Sequence, residues 1–294
     1  MNDPAANSSS DFKLTPVTGA FGVQIDGLEV RSMLATPGFA DRLTGLLAEF
    51  SVLFFPAQHL SPAEMRALAS LFGVPDDYAP TKAHAGTSRH PDIHEMDVVV
   101  SPFGGEHNHV DAWHMDNSDN VVPQAIAILQ AVSLPPWGGD TLWSDQRAAL
   151  AALSEPMKEM LRSLTGLHVR RGAEARVQEH PLVAVHPVSR REFLYINTGR
   201  LTVIPQLRRK ESRLLLDYLR EFSAQPEFTL RRAHSKGDLV IWDNRCTQHY
   251  GVHDYAERRE IWRIGVIDGR PLEASRPDRI GPHFDRRLAG AQFV

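Results

Sequence analysis

The chain has one cysteine, Cys246, so no internal disulfide can form, and a reducing cytoplasmic setting is expected. It has no apolar run of about 18 residues, the length a helix needs to cross a bilayer, so no membrane span is expected. It has no basic block either. Its 32 Lys and Arg stand against 36 Asp and Glu, a net charge of −4, which speaks against a nucleic-acid partner. The stretch MNDPAANSSSDF is polar and lacks an apolar h-region, so residues 1–12 read as a disordered tail, not a secretory signal. Residues 13–294 contain no repeat and no linker, and one domain is expected there. With 42% hydrophobic and 23% charged residues, the chain has enough apolar surface to build a sizeable core.

Short strands dominate what is present. Leu14–Val30 alternates like a small antiparallel pair broken by glycines, and the continuous apolar run Ser51–Phe55 reads as a buried strand. Phe39–Phe50 places Leu43, Leu46 and Leu47 on one helical face. Ser61-Pro62-Ala63-Glu64 carries a capping box with proline at the first helical position. Further strands are expected at 96–100, 125–132, 183–185, 192–197, 238–242 and 261–267, with one more fed by the turn segment Pro135–Trp143. Helices are expected at 145–153, 154–164 and 210–222. Between 78 and 109 the chain is rich in Gly, Pro and His, the composition of a binding loop or lid. Many short strands with helices toward the ends point to an α+β fold on a β-barrel or jelly-roll.

The chemistry centres on Trp113-His114-Met115-Asp116. On an extended backbone residues i and i+2 share a face, so the His114 imidazole and the Asp116 carboxylate project together. They are two of the three ligands of a facial triad for non-haem Fe(II). A second imidazole, His249, is expected just past the strand 238–242, and Arg263 follows within an apolar strand. A guanidinium there needs an anionic partner, either a bound carboxylate or an acidic side chain of the chain itself.

Four ordered segments carry a resemblance: the His-x-Asp motif, Gly138-Gly139-Asp140-Thr141-Leu142-Trp143, Ile241-Trp242-Asp243-Asn244-Arg245 running on to His249-Tyr250, and Arg258-Arg259-Glu260-Ile261-Trp262-Arg263. With His180-Pro181, His186-Pro187 and Tyr195-Ile196-Asn197, this set resembles the Fe(II)/2-oxoglutarate dioxygenases of the taurine/dichlorophenoxyacetate dioxygenase family, from about Leu14 to Pro271. The resemblance implies a double-stranded β-helix flanked by helices, with His114, Asp116 and His249 on Fe(II). It implies Thr141 and Arg263, with Arg259 as the secondary choice, on the distal carboxylate of 2-oxoglutarate, and O2 as the oxidant. It also implies release of succinate and CO2. Asp140 reads as a turn residue, Cys246 as a small buried one, Trp113 and Trp242 as packing against the ligands, and His180, His186 and His253 as structural. Family members often self-associate, so a homo-oligomer is an expectation too.

The substrate is expected to be a small, anionic molecule whose C–H bond is hydroxylated or desaturated. Taurine-oxidising members carry a His after the early Phe-Gly and an Asn shortly before His-x-Asp. This chain has Val74-Pro75-Asp76-Asp77-Tyr78 after Phe72-Gly73, and Val110-Asp111-Ala112 before Trp113, matching neither. Tyr78, His84, Asn108, Asp111 and Asn117 are candidate pocket residues, and Arg170 and Arg200 are candidates for the substrate's anionic group. The other readings are an amino-acid-derived (for example isonitrile) natural-product intermediate as substrate, a zinc hydrolase on the same ligands, and a non-catalytic barrel-fold binding protein.

Overall fold

The computed structural model describes residues 12–77, 87–101, 112–171 and 175–284. Tyr78, His84, Asn108 and Asp111 lie outside them. The first segment contains β1 (Lys13–Pro16), β2 (Val23–Asp26), α1 (Val30–Met33), α2 (Phe39–Phe50), β3 (Val52–Phe55), α3 (Pro62–Ser70) and β4 (Val74–Pro75). Phe12, assigned to the tail from the sequence, packs against the core with the Arg42 guanidinium 3.9 Å from its ring centre. Ser61 and Glu64 close the capping box on α3 as the motif predicts.

The middle of the chain runs through β5 (Thr87–Arg89), β6 (Met96–Ser101), β7 (Ile126–Ser133), β8 (Thr141–Asp145), α4 (Gln146–Ala152) and α5 (Glu155–Arg162). It continues with β9 (Thr165–Arg170), β10 (Arg176–Pro181), β11 (Val183–Val185), β12 (Glu192–Leu194) and β13 (Leu201–Val203). The last part holds α6 (Arg209–Ser223), β14 (Thr229–Arg232), β15 (Leu239–Asp243), β16 (Thr247–Gly251), β17 (Arg259–Ile267) and β18 (Glu273–Ala274).

A nine-stranded sheet runs β1-β2-β3-β15-β7-β17-β6-β5, with β4 beside β17, and a three-stranded sheet runs β14-β8-β16. Side chains of the two sheets meet in one cluster that includes Val52, Phe54, Leu129, Val240 and Trp242 from the large sheet and Trp143 and Leu230 from the small one. The opposite face of the large sheet carries Leu53, Phe55, Ile128, Ile241 and Ile264, which pack on Leu43, Leu47, Met65 and Leu68 of α2 and α3. That two-sided burial explains the unbroken apolar run of β3: successive residues point to opposite faces, and both faces are dry. Each such side chain contributes about 1.5–3 kcal/mol relative to exposure. A third cluster joins α4, α5 and α6 to β11–β13 through Leu150, Leu161, Leu182, Leu194, Leu216 and Leu219. The fold is α+β, a double-stranded β-helix (jelly-roll) flanked by helices.

Candidate active site

His114 is not at the end of a strand. It forms an isolated antiparallel bridge with His249, through His114 N–H to His249 C=O at 3.0 Å and the reverse bond at 2.8 Å. His249 follows the expected strand, here β15, and itself lies within a further strand, β16, that the sequence does not predict. The bridge brings the two imidazole rings to 4.1 Å, and Asp116 opens the turn that follows. His114 Nε2 lies 3.9 Å from Asp116 Oδ1 and His249 Nε2 lies 3.7 Å from Asp116 Oδ2. One ligand atom from each of the three residues falls within 4.8 Å of the others.

The protonation states suit a cation. His114 Nδ1 lies 2.7 Å from the Ala112 carbonyl, a bond that needs the proton on Nδ1 and leaves the Nε2 lone pair facing Asp116. Burial lowers the proton affinity of His114 against the pull of Asp116. It lowers that of His249 well below the usual imidazole range, with His114 adding to the effect. Burial alone would raise the Asp116 carboxyl, but Arg263, His249 and His114 outweigh it and hold it at about 2. Asp116 Oδ1 accepts from Arg263 at 2.8 Å, while buried Oδ2 has no hydrogen-bond partner. Two neutral imidazoles and a buried carboxylate oxygen lacking a donor are a donor set that a divalent ion would complete.

Two asparagines fix this turn. Asn244 accepts from the Asp116 N–H at 3.0 Å and donates to the Asp116 C=O at 3.1 Å and the Gln124 C=O at 2.9 Å. Asn197 donates to the Met115 C=O and to Ser118 Oγ, both at 2.7 Å, and Ser118 Oγ lies 3.0 Å from His168 Nδ1. Both asparagines lie in the motifs named above, yet their roles are invisible in sequence because their partners are 128 and 82 residues away. Trp242 packs on the His249 ring at 5.0 Å, as expected of it, whereas Trp113 packs on Tyr250, next to that ligand, at 5.8 Å. A second buried group, His186, Asp243 and Cys246, also has metal-ligand chemistry. There, however, Asp243 Oδ1 accepts from Arg245 N–H and Nε, and Oδ2 accepts from His186 and Arg245, so its charge is already matched within the protein.

On the anion-binding side the two arginines differ in what already engages them. Arg263 is occupied: it donates to Asp116 Oδ1 at 2.8 Å and to Asp97 Oδ2 at 2.9 Å. Arg259 is buried, makes no ion pair among the described residues, and its Nε has no hydrogen-bond partner. Its side chain fills the space beside Gly139, where a Cβ would meet Arg259 Cδ at 2.9 Å, so the φ of +74° and the close approach both require glycine. Arg259 therefore borders the Gly139-Asp140-Thr141 segment. Thr141 is buried, with its hydroxyl 2.9 Å from His234 Nε2. Burial, then Arg259 and Arg232, push His234 down to about 3, which keeps it neutral. His234 is absent from the sequence-level site, where nothing in its surroundings Ala233-His234-Ser235 distinguishes it. Trp143 lies against both His234 and Trp242, and the Trp143 and Trp242 indole N–H groups have no partner.

Among the candidate substrate residues, Arg170 requires correction. Its guanidinium grips fully buried Asp119 at 2.6 and 3.1 Å and donates to Asn117 Oδ1 at 3.1 Å. Asn117, at a φ of +50°, donates in turn to Asp76 at 3.0 Å. Both residues brace the turn after Asp116. Arg200 is half-buried and close enough to His114 to lower that imidazole's proton affinity. Adjacent Gly199 lies against His114, where an added Cβ would come 3.9 Å from the His114 Cβ. Asp140, expected to serve a turn, lies between the bend at Pro136-Trp137 and β8, and its carboxylate accepts from Arg231 at 2.6 Å.

Known proteins share this arrangement of the chain. Residues 13–264 match the family described as taurine catabolism dioxygenase TauD, TfdA family. An alkylsulfatase of Acinetobacter baylyi is 32% identical over 288 residues, covering 90% of this chain and 87% of its own. An alpha-ketoglutarate-dependent 2,4-dichlorophenoxyacetate dioxygenase of Cupriavidus pinatubonensis is 31% identical over 281 residues, covering 86% and 96%. The solved structure of AAD-2 in complex with Mn(II) and N-oxalylglycine superposes with a TM-score of 0.74 at 27% identity, covering 89% of this chain and 99% of that one. On these grounds the chain belongs to the taurine catabolism dioxygenase TauD, TfdA family and is a 2-oxoglutarate-dependent dioxygenase.

Proposed function

We propose that the protein uses Fe(II), 2-oxoglutarate and O2 to oxidise a C–H bond of a small organic anion, releasing succinate and CO2. The observation that carries this reading is the pairing of two sites: a His-Asp-His donor set with an unpartnered carboxylate oxygen, and, beside the Gly139-Thr141 segment, a buried guanidinium that makes no ion pair among the described residues. Zinc hydrolysis has no use for the second site, and a binding protein without chemistry has no need of the first.

His114, His249 and Asp116 Oδ2 would hold the metal, a donor set that suits Fe(II) and would leave it able to take a 2-oxo acid and oxygen. Bound there, iron and 2-oxoglutarate supply the oxidation, the cosubstrate losing CO2 to become succinate. Arg259 and Thr141 bind its distal carboxylate. The guanidinium adds charge and the hydroxyl adds a directed donor. Trp143 and Trp242 wall that side and exclude water, which strengthens both contacts. AAD-2, with Mn(II) and the 2-oxo-acid mimic N-oxalylglycine, supports this pair of sites.

For the substrate, the relatives favour a sulfate ester or an aryloxyacetate over an amino-acid-derived natural-product intermediate. Both favoured classes carry one anionic group next to an oxidisable carbon. Arg200, whose charge is felt at His114 and whose neighbour Gly199 lies against that residue, is the cation for that group. Succinate release should be measured with alkyl sulfates, phenoxyacetates and neutral ethers of the same carbon skeleton. Turnover of either anion, weakened in KM by Arg200→Ala, supports the reading. Equal turnover of the neutral ether, or unchanged KM in that variant, contradicts it.

A further inference from the structure

We propose that Asp97 is a positioning residue for the metal carboxylate, acting through Arg263. The inference rests on the metal site proposed above. The register of three neighbouring strands sets it up. Asp97 on β6 is the direct cross-strand partner of Arg89 on β5 and of Arg263 on β17, so the three side chains share one face. Arg89 lies 3.0 Å from Asp97 Oδ1, Arg263 donates to Asp97 Oδ2 at 2.9 Å, and its other nitrogen donates to Asp116 Oδ1 at 2.8 Å. The result is a row of alternating charges that ends on the candidate metal ligand.

An arginine fork prefers to meet a carboxylate with two parallel hydrogen bonds. Arg263 does not do so with Asp116. One of its nitrogens is committed to Asp97 on the neighbouring strand, and only the other reaches Asp116. Asp116 Oδ2 is thereby left without a donor, 3.7 Å from His249 Nε2, and available to a cation. Oδ1 already accepts one hydrogen bond, so Oδ2 is the oxygen left wholly to a metal. Without Asp97 the free half of the fork would turn onto Oδ2 and compete with the metal for it. The guanidinium would also lose the negative charge that offsets its repulsion of a dication. Asp97 thus keeps a cation needed to orient Asp116 from capturing it.

The test is Mn(II) affinity, read by electron paramagnetic resonance titration of the folded full-length chain. Asp97→Ala is expected to weaken Mn(II) binding about tenfold, the size of coupling usual for residues in one charge network. Asp97→Asn retains an acceptor for the fork and should lose less. In an Arg263→Met background the Asp97→Ala change should become silent to within about twofold, since the residue it restrains is gone. Wild-type affinity in both Asp97 variants, or the same loss with and without Arg263, overturns the inference. Asp97→Asn serves if Asp97→Ala fails to fold. Failure of the wild type to bind Mn(II), or binding that survives His114→Ala, would instead refute the metal site itself.

Discussion

His234 Nε2 lies 2.9 Å from the Thr141 hydroxyl, and the direction of that bond decides what Thr141 can do. If the imidazole donates, the hydroxyl keeps its proton for a carboxylate. If it accepts, the proton is spent within the protein. A 2-oxoglutarate site at Thr141 therefore requires the Nε2–H tautomer. His234→Phe should weaken 2-oxoglutarate binding about tenfold by exposing a hydroxyl with no fixed orientation, and His234→Gln, which retains a donor, should lose less. Titration of the metal-loaded protein with 2-oxoglutarate measures this. Equal affinity in the Phe variant contradicts it.

Arg259 and Arg263 separate by the same measurement. Arg259→Met removes a buried cation that makes no ion pair among the described residues, with only the more distant Asp140 and Tyr255 acting on its charge, and a loss of 2-oxoglutarate affinity of about 100-fold is expected. Arg263→Met, whose guanidinium is engaged by Asp116 and Asp97, should change that affinity much less. The opposite order would restore Arg263 as the carboxylate ligand.

The order of these arginines shows where sequence reasoning stops. Residues 114, 116 and 249 are legible because an i, i+2 pair and its flanking motifs are local patterns. The same holds for the Ser61 capping box and the β3 apolar run. Which of two arginines four positions apart reaches Gly139 depends on how β17 lies, and its register against β7 shifts between Glu260 and Ile261. Arg170 reads as a free cation until the fold brings Asp119 to it across 51 residues. β16, with the sequence TQHYG, has no strand periodicity and is a strand because it pairs with β8 from Thr247↔Asp145 to Gly251↔Thr141.

Asn244 holds Asp116 by both its N–H and its C=O, so Asn244→Ala should release the turn and not only weaken one contact. Removing a residue that orients a metal ligand typically costs about 10–100-fold in metal affinity, and that range is expected here. Calorimetric titration with Mn(II) reads it. A variant that melts like wild type yet binds Mn(II) normally would show that the turn holds itself.

Acid should destabilise the metal-free protein through histidines buried in the neutral state. Burial, with His180 adding to it, pushes His168 well below 6.5, and burial brings His180 to about 4 against its bond to Asn120. The unfolded chain protonates these rings first, so the stability they contribute is complete above 6.5 and lost as pH falls toward 4. Asp116, held at about 2, acts in the same direction at still lower pH. Thermal melts at stepped pH should show Tm falling through this window, and His180→Gln should flatten part of the slope. A Tm constant between about pH 7 and pH 4.5 would contradict the buried neutral state.

The central claim is that one cation at His114, Asp116 and His249 and one 2-oxo acid reaching Arg259 occupy the barrel together. Anaerobic addition of 2-oxoglutarate to the Fe(II)-loaded protein tests it most directly. The account predicts a visible metal-to-ligand charge-transfer band that disappears in His114→Ala and needs far more cosubstrate in Arg259→Met. A folded, iron-loaded protein that gives no band, or a band that persists without His114, would contradict it.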